Sequence, residues 1–175
     1  MKEKELNISL REHAISCGIC NKFLREWQKD WDLQKMADQF YRGIDFFIDK
    51  RFISNNYMKQ YFDVEFRREN GILVDDRYSL LNPKRAILVG ESKSTIRFNS
   101  FNTATIYVLD ESNVTITTKD HAIVTVHVFG KAQVCANKFD DSKISIISHN
   151  PECVIISDKN IAVKTNYDYL KKANR

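Results

Sequence analysis

The sequence predicts an α+β protein in which a small N-terminal helical bundle is followed by a short parallel β-solenoid of repeats about ten residues long. Two observations lead to this prediction. Apolar residues recur at steps of three and four over the first half of the chain, which is typical of amphipathic helices. In the second half, a small residue is followed at two-residue steps by a β-branched residue and another apolar residue, and this unit recurs seven times.

Caps and apolar stripes indicate where the helices lie. Ser9-Leu10-Arg11-Glu12 has the form of a capping box and predicts a short first helix that ends near Gly18. A second stripe runs over residues 20–31. Asp32 is expected to cap a third helix that reaches residue 48, and Ser54 a fourth that ends at Asn70 and Gly71. We place the helical domain at residues 1–82, where it caps the N-terminal end of the solenoid.

The repeat occupies most of the remaining chain, and we place the solenoid domain with its short C-terminal tail at residues 83–175. Its units begin at Ser94, Ala104, Ser112, Ala122, Ala132, Ser142 and Glu152, at ten-residue steps with one step of eight. The β-branched position reads Ile96, Ile106, Val114, Val124, Val134, Ile144 and Val154. A column of turn-forming residues reads Asn102, Asp120, Gly130, Asp140, Asn150 and Asn160. Residues 86–90 and 161–165 resemble one earlier and one later strand.

Side-chain parity favours a coil over a meander of hairpins. Two-residue hairpin loops would place the fifth position of each unit opposite the second on a buried face, yet the fifth position is mostly polar, as at Asn99 and Thr117. In a coil, the second and fourth positions of every strand point inward without conflict. A meander with longer loops stays open as an alternative. Whether a coil holds two or three units also stays open.

The small-x-Val-x-apolar unit closed by Asn, Asp or Gly resembles the repeats of short bacterial β-solenoids over residues 86–160. Among these are bactofilin-like filament proteins and repeat proteins carried by phages and mobile elements of gut bacteria. The resemblance implies a structural role and a phage or mobile-element origin. The ten-residue step is longer than the step typical of bactofilins.

Composition predicts a cytoplasmic protein without a membrane segment. The chain has 27 basic and 23 acidic residues, a net charge of +4, and no clustered basic face of the kind that nucleic-acid binding requires. Its N-terminus carries charges of both signs and precedes no unbroken apolar run, so we expect neither a signal peptide nor a membrane span. The four cysteines are expected to be free thiols.

One group of residues has metal-ligand spacing: His13, Cys17 and Cys20. With a fourth ligand from elsewhere, three such side chains would suffice for zinc. Both cysteines, however, fall on apolar helical stripes, and a free cysteine commonly packs as a small hydrophobic side chain. We therefore predict buried cysteines, no metal and no cofactor.

Three aromatic residues, Phe101, Phe129 and Phe139, recur near the predicted turns and are the candidate interaction residues. They either fold over a corner of the coil or form an exposed ladder for a partner. His121, His127 and Cys135 are expected at scattered surface positions.

The predicted function is a non-enzymatic structural or interaction module that forms a homo-oligomer, because enzyme and cofactor motifs are absent and an open solenoid end presents unpaired strand edges. Another protein partner is compatible with this prediction. One alternative is a helix-turn-helix nucleic-acid reader with Lys59, Arg67 and Arg68 at phosphates, but these cations alternate with acidic residues and we do not expect nucleic acid as a partner. A carbohydrate-active β-helix is a weaker alternative, since the array is too short for a long substrate groove.

Overall fold

The computed structural model describes residues 3–28 and 30–169. The chain divides into two compact units, Met1–Tyr61 and Phe62–Arg175. In the described part of the chain, six helices precede eleven strands, so the predicted α+β class is confirmed. The helices are α1 (Glu3–Ser16), α2 (Asn21–Glu26), α3 (Leu33–Arg42), α4 (Ile44–Lys50), α5 (Asn55–Tyr61) and α6 (Val64–Glu69). The strands are β1 (Ile72–Val74), β2 (Leu80–Leu81), β3 (Arg85–Val89), β4 (Lys93–Phe98), β5 (Thr103–Val108), β6 (Asn113–Thr118), β7 (Ile123–Val128), β8 (Gln133–Lys138), β9 (Lys143–Ser148), β10 (Val154–Ser157) and β11 (Ala162–Thr165).

The first helix begins earlier than its capping box predicts. α1 starts at Glu3, so Ser9 lies inside the helix and the predicted cap is wrong. The reason is that Leu6 and Asn7, in the turns before Ser9, are already buried. Asn7 is tolerated in the interior because its side chain accepts a hydrogen bond from Nε1 of Trp27 at 2.7 Å and donates one to the carbonyl of Gln28 at 2.8 Å.

Two predicted caps are confirmed, and two predicted helices are each broken once. Asp32 accepts from the backbone N–H of Lys35 at 2.8 Å, and Ser54 from that of Tyr57 at 3.1 Å. The third helix is interrupted at Gly43, whose φ of −102° and ψ of 24° depart from helical values, and a Cβ there would lie 2.6 Å from the ring of Phe23. The predicted fourth helix ends with α5, and Asp63 caps a separate helix, α6. α6 belongs to the second compact unit.

All strand pairs of the second unit are parallel, which confirms the coil. Sheet A has the order β1-β3-β5-β7-β9-β11 and sheet B the order β10-β8-β6-β4-β2. Successive strands alternate between the sheets, so each coil of roughly 20 residues holds two repeat units, and the solenoid has about four turns. It begins at residue 72, before the first strand that the repeat predicts.

The true repeat has no eight-residue step. Ser94 pairs with Val114 and Ala104 with Val124, so the first two units begin two residues earlier than predicted. Because side chains alternate with a period of two, this error left the inward face unchanged. The predicted inward residues of the regular coils, Ile96 and Val124 among them, are buried.

The turns show the same ten-residue step. Left-handed backbone conformations occur at Gly90, Ser100, Asp110, Asp120, Gly130 and Asp140, and not at Asn102, Asn150 or Asn160 of the predicted turn column. Aspartate suits this column because its carboxylate also accepts from the preceding coil. Asp110 accepts from the N–H of Gly90 at 2.8 Å, and Asp120 from that of Ser100 at 2.7 Å.

The last predicted unit, beginning at Glu152, is out of phase by one residue. Ile155 pairs with Val134 and packs against the core, whereas Val154 and Ile156 point outward and are 47% and 65% exposed. The turn between β9 and β10 is one residue longer than the four-residue turns between β4 and β9, and a shift of one residue exchanges the two faces of a strand. The predicted burial of Val154 and Ile156 is therefore wrong.

Candidate interaction site

The edges of the two sheets lie at different levels along the solenoid. Sheet A contains the first strand and the last, whereas β2 and β10 are the edge strands of sheet B. Sheet A therefore extends about half a coil beyond sheet B at each end. Edge strands present backbone N–H and C=O groups with which another chain can pair, so both ends are candidate interaction sites.

At the C-terminal end, part of the core is exposed. Val163 of β11 pairs with Ile146, so its side chain points into the coil, yet Val163 is 46% exposed. The N–H of Asn166 donates to the carbonyl of Ser148 at 2.9 Å. Since backbone groups alternate in direction along a strand, those of Val163 and Thr165 point away from β9. Within the described residues, β11 is paired on one side only.

At the N-terminal end, the corresponding core residues are covered. α6 packs against β1, and Leu73, the inward residue of β1, is fully buried. Leu80 of β2 is only 9% exposed. The two ends of the solenoid therefore differ in the apolar surface that they offer to a partner.

A cleft of about 710 Å³ lies beside β2. Glu65, Arg68 and Glu69 of α6 form one wall. The segment from Tyr78 to Arg85, which includes β2, forms the other. The cleft lies wholly within the second compact unit.

Arg68 is held in place within this cleft. Its Nε and Nη2 atoms donate to the two carboxylate oxygens of Asp76, each at 2.9 Å. The guanidinium carbon lies 4.6 Å from the centroid of the Tyr78 ring. The hydrogen bond with Arg68 lowers the pKa of the Asp76 carboxyl and raises the pKa of the guanidinium. The charge of Arg68 is thus largely compensated by Asp76.

Two of the three cations of the helix-turn-helix alternative, Arg67 and Arg68, form hydrogen bonds within the second compact unit. Arg67 is buried, and its Nε donates to the carbonyl of Phe62 at 3.1 Å. Arg68 is paired with Asp76, and Lys59 belongs to the other compact unit. No geometry in the second unit therefore presents Arg67 and Arg68 together to a phosphate.

The three candidate phenylalanines do not form one ladder. Phe101 and Phe139 lie at the turns that follow strands of sheet B, and they are 84% and 49% exposed. Phe129 follows a strand of sheet A and is buried. Phe101 stacks on His121 at 4.7 Å between ring centroids, and Lys119 Nζ lies 5.6 Å from the centroid of Phe139.

Phe129 belongs instead to a stack of rings that the sequence did not reveal. His149 lies 4.2 Å from Phe129 and 5.2 Å from His127 between ring centroids. His127 Nδ1 and His149 Nε2 share a hydrogen bond of 2.9 Å, and Tyr169 packs on His149 at 4.5 Å. His127 is therefore part of a cluster, whereas it was expected to stand alone. The signal in the sequence was the spacing of 20 residues between Phe129 and His149, which is the length of one coil.

The proposed zinc ligands come together only in part. Cys17 Sγ lies 4.0 Å from Nε2 of His13, whereas Cys20 lies beyond the end of α1 and is exposed, contrary to the burial expected for it. Among the residues that the structure describes, no three His, Cys, Asp or Glu side chains are grouped as metal ligands. The absence of a metal stays a prediction.

Comparison with protein-family models, curated proteins and solved structures gives no match for this chain. No helix within residues 3–28 and 30–169 has the length and apolar character needed to cross a membrane. The β-solenoid fold itself is consistent with a structural or interaction module.

Proposed function

We propose that this protein is a non-enzymatic structural module that self-associates through the C-terminal end of its solenoid. The observation that carries the proposal is the difference between the two ends. The inward residue of β1, Leu73, is fully buried, whereas its counterpart in β11, Val163, is 46% exposed. A second copy placed against β11 would bury this surface and pair the backbone groups of the edge strand.

Two copies meet best about a two-fold axis at Val163. Antiparallel pairing of β11 with its equivalent makes Val163 a hydrogen-bonded pair with itself, because its N–H and C=O both point outward from β9. In this register Ala162 faces Lys164 of the second copy, so the two lysines are not directly opposed. The same surface is used by both copies, so the assembly closes as a dimer.

Open filaments of the kind formed by bactofilin-like proteins are not part of the proposal. A head-to-tail contact would place β11 against β1, where α6 packs and the core is already covered. We propose a small cytoplasmic scaffold or accessory protein, and its phage or mobile-element origin rests on the resemblance of the repeat alone.

Sedimentation velocity of Val163→Lys tests the proposal. β11 has only four residues, and an interface smaller than the roughly 800 Å² per partner of stable complexes predicts a dimer that dissociates in the micromolar range. We expect the unmodified protein to shift from monomer to dimer between about 1 and 100 µM, and Val163→Lys to stay monomeric because a desolvated lysine lacks a partner.

The matched control is Ile123→Lys, since Ile123 is a β-branched residue of sheet A that is 49% exposed but lies away from the ends. This variant should dimerise like the unmodified protein. If the unmodified protein stays monomeric from about 1 to 100 µM, the proposal is refuted.

A further inference from the structure

We propose that the cleft beside β2 binds an extended peptide segment of a partner protein, which joins sheet B as an additional edge strand. The site lies at the opposite end of the solenoid from β11 and is independent of self-association. Strand addition of this kind draws its affinity from main-chain hydrogen bonds and its specificity from alternate side chains.

The backbone of β2 is available on the side of the cleft. Leu80 pairs with Ile96 of β4, the N–H of Tyr78 donates to β4 at 3.3 Å, and the N–H of Asn82 donates to β4 at 2.9 Å. Alternation along the strand therefore directs the backbone groups of Ser79 and Leu81 away from β4. Both residues line the cleft, and β2 pairs with no second strand within the described residues.

The cleft has room for an added strand. β2 is the edge strand of sheet B at this end, and within the described residues nothing pairs with its outer side. The volume of about 710 Å³ lies within the range of pockets that bind small ligands and suits a segment of about four or five residues. An extended peptide fills this space better than a compact metabolite, because the hydrogen-bonding groups lie along one line.

Side chains that line the cleft define which peptide sequence is preferred. Leu80 lines the cleft and is part of the core, while Tyr78 and Leu81 are 41% and 66% exposed. An added strand would place alternate side chains beside these apolar groups, and β-branched residues fit a pleated, half-buried surface best.

Charged residues in the walls of the cleft define the orientation of the bound peptide. Glu65 and Glu69 line the wall formed by α6, and Glu65 also interacts electrostatically with Arg68. Arg68 between them is compensated by Asp76, and Lys84 and Arg85 lie on the opposite wall. The expected ligand therefore carries a basic residue beside α6, and its complementary end is acidic.

A panel of acetylated, amidated hexapeptides tests this site directly. Each peptide has valine or isoleucine at alternate positions, threonine between them, and one lysine or one glutamate at either end. Titration of the full-length protein, followed by NMR, should move the amide signals of Ser79 and Leu81 and leave that of Ile116 unchanged. Peptides with lysine at the end beside α6 should bind more tightly than those with glutamate at that end, and the Glu65→Gln, Glu69→Gln double variant should remove that preference.

Backbone-methylated versions of the same peptides are the decisive control. Methylation removes the N–H donors while keeping every side chain, so at least a tenfold loss of affinity is expected if the peptide adds as a strand. The Val163→Lys variant should bind the peptides unchanged, which separates this site from self-association. Equal binding of methylated and unmethylated peptides, or no shift at Ser79 and Leu81 with any peptide of the panel, would overturn the proposal.

Discussion

Replacing Ile116 with alanine is expected to destabilise the second compact unit by about 2–5 kcal/mol. Ile116 is fully buried, and it pairs with Ile96 on one side and Ala136 on the other, so its side chain fills one layer of the coil. Neighbouring layers are held by the parallel strands and cannot collapse fully into the cavity. Chemical denaturation followed by circular dichroism gives the free energy of unfolding.

The control for this change lies on the same strand. Thr115→Ala removes a side chain that points to the outer face of β6 and should change the free energy of unfolding by no more than about 0.5 kcal/mol. Equal losses for Ile116→Ala and Thr115→Ala would contradict the assignment of inward and outward faces.

Gly71→Ala is expected to have the second large effect. Gly71 has a φ of +69°, and a Cβ there would overlap the carbonyl oxygen of Arg85 and lie 3.2 Å from the Cα of Ala86. The obstacle is backbone, and it is fixed by the hydrogen bond from the N–H of Ile87 to the carbonyl of Gly71 at 2.8 Å. The variant must therefore combine left-handed strain of about 1–2 kcal/mol with displacement of β1 from β3.

Gly130→Ala supplies the comparison. Its φ is +66°, but the nearest backbone atoms, those of Asp110, lie 3.1 Å from the added Cβ and require only a small adjustment. We expect this variant to lose about 1–2 kcal/mol from the left-handed strain and to retain the fold. The midpoint temperature of thermal unfolding should therefore be lower for Gly71→Ala than for Gly130→Ala. The reverse order would contradict the close approach of β1 and β3.

The inward face of the solenoid could be predicted because it depends only on parity. Ile96 and Ile106 were assigned to the core although their units were counted in the wrong phase, since an error of two residues returns to the same face. The error at Val154 was one residue, and it reversed the assignment. The longer turn before β10 contains Pro151 and has five residues, one more than the regular turns between β4 and β9.

Helix caps were predictable where they are local. Asp32 and Ser54 each accept from a backbone N–H three residues later, a contact that the sequence within one turn determines. The interruption at Gly43 is a single residue between α3 and α4, and the apolar stripe continues across it. Periodicity alone does not register such a break, and the third helix was therefore predicted too long.

The candidate site was only partly predictable for a similar reason. Exposure of Phe101 and burial of Phe129 follow from their different sheets, which became clear only once two units were known to form one coil. The cleft at Leu81 lies beside β2, which is the edge strand of sheet B. A two-residue strand such as β2 has no periodic signal in the sequence.

Hydrogen–deuterium exchange of β11 as a function of protein concentration tests self-association most directly. The amide of Val163 points away from β9 and should exchange rapidly in the monomer. At concentrations where the dimer forms, it should become protected, while the amide of Ile116 in the middle of sheet B stays slow throughout. Exchange at Val163 that does not change with concentration, in a sample shown by sedimentation to contain the dimer, would contradict assembly through the β11 edge.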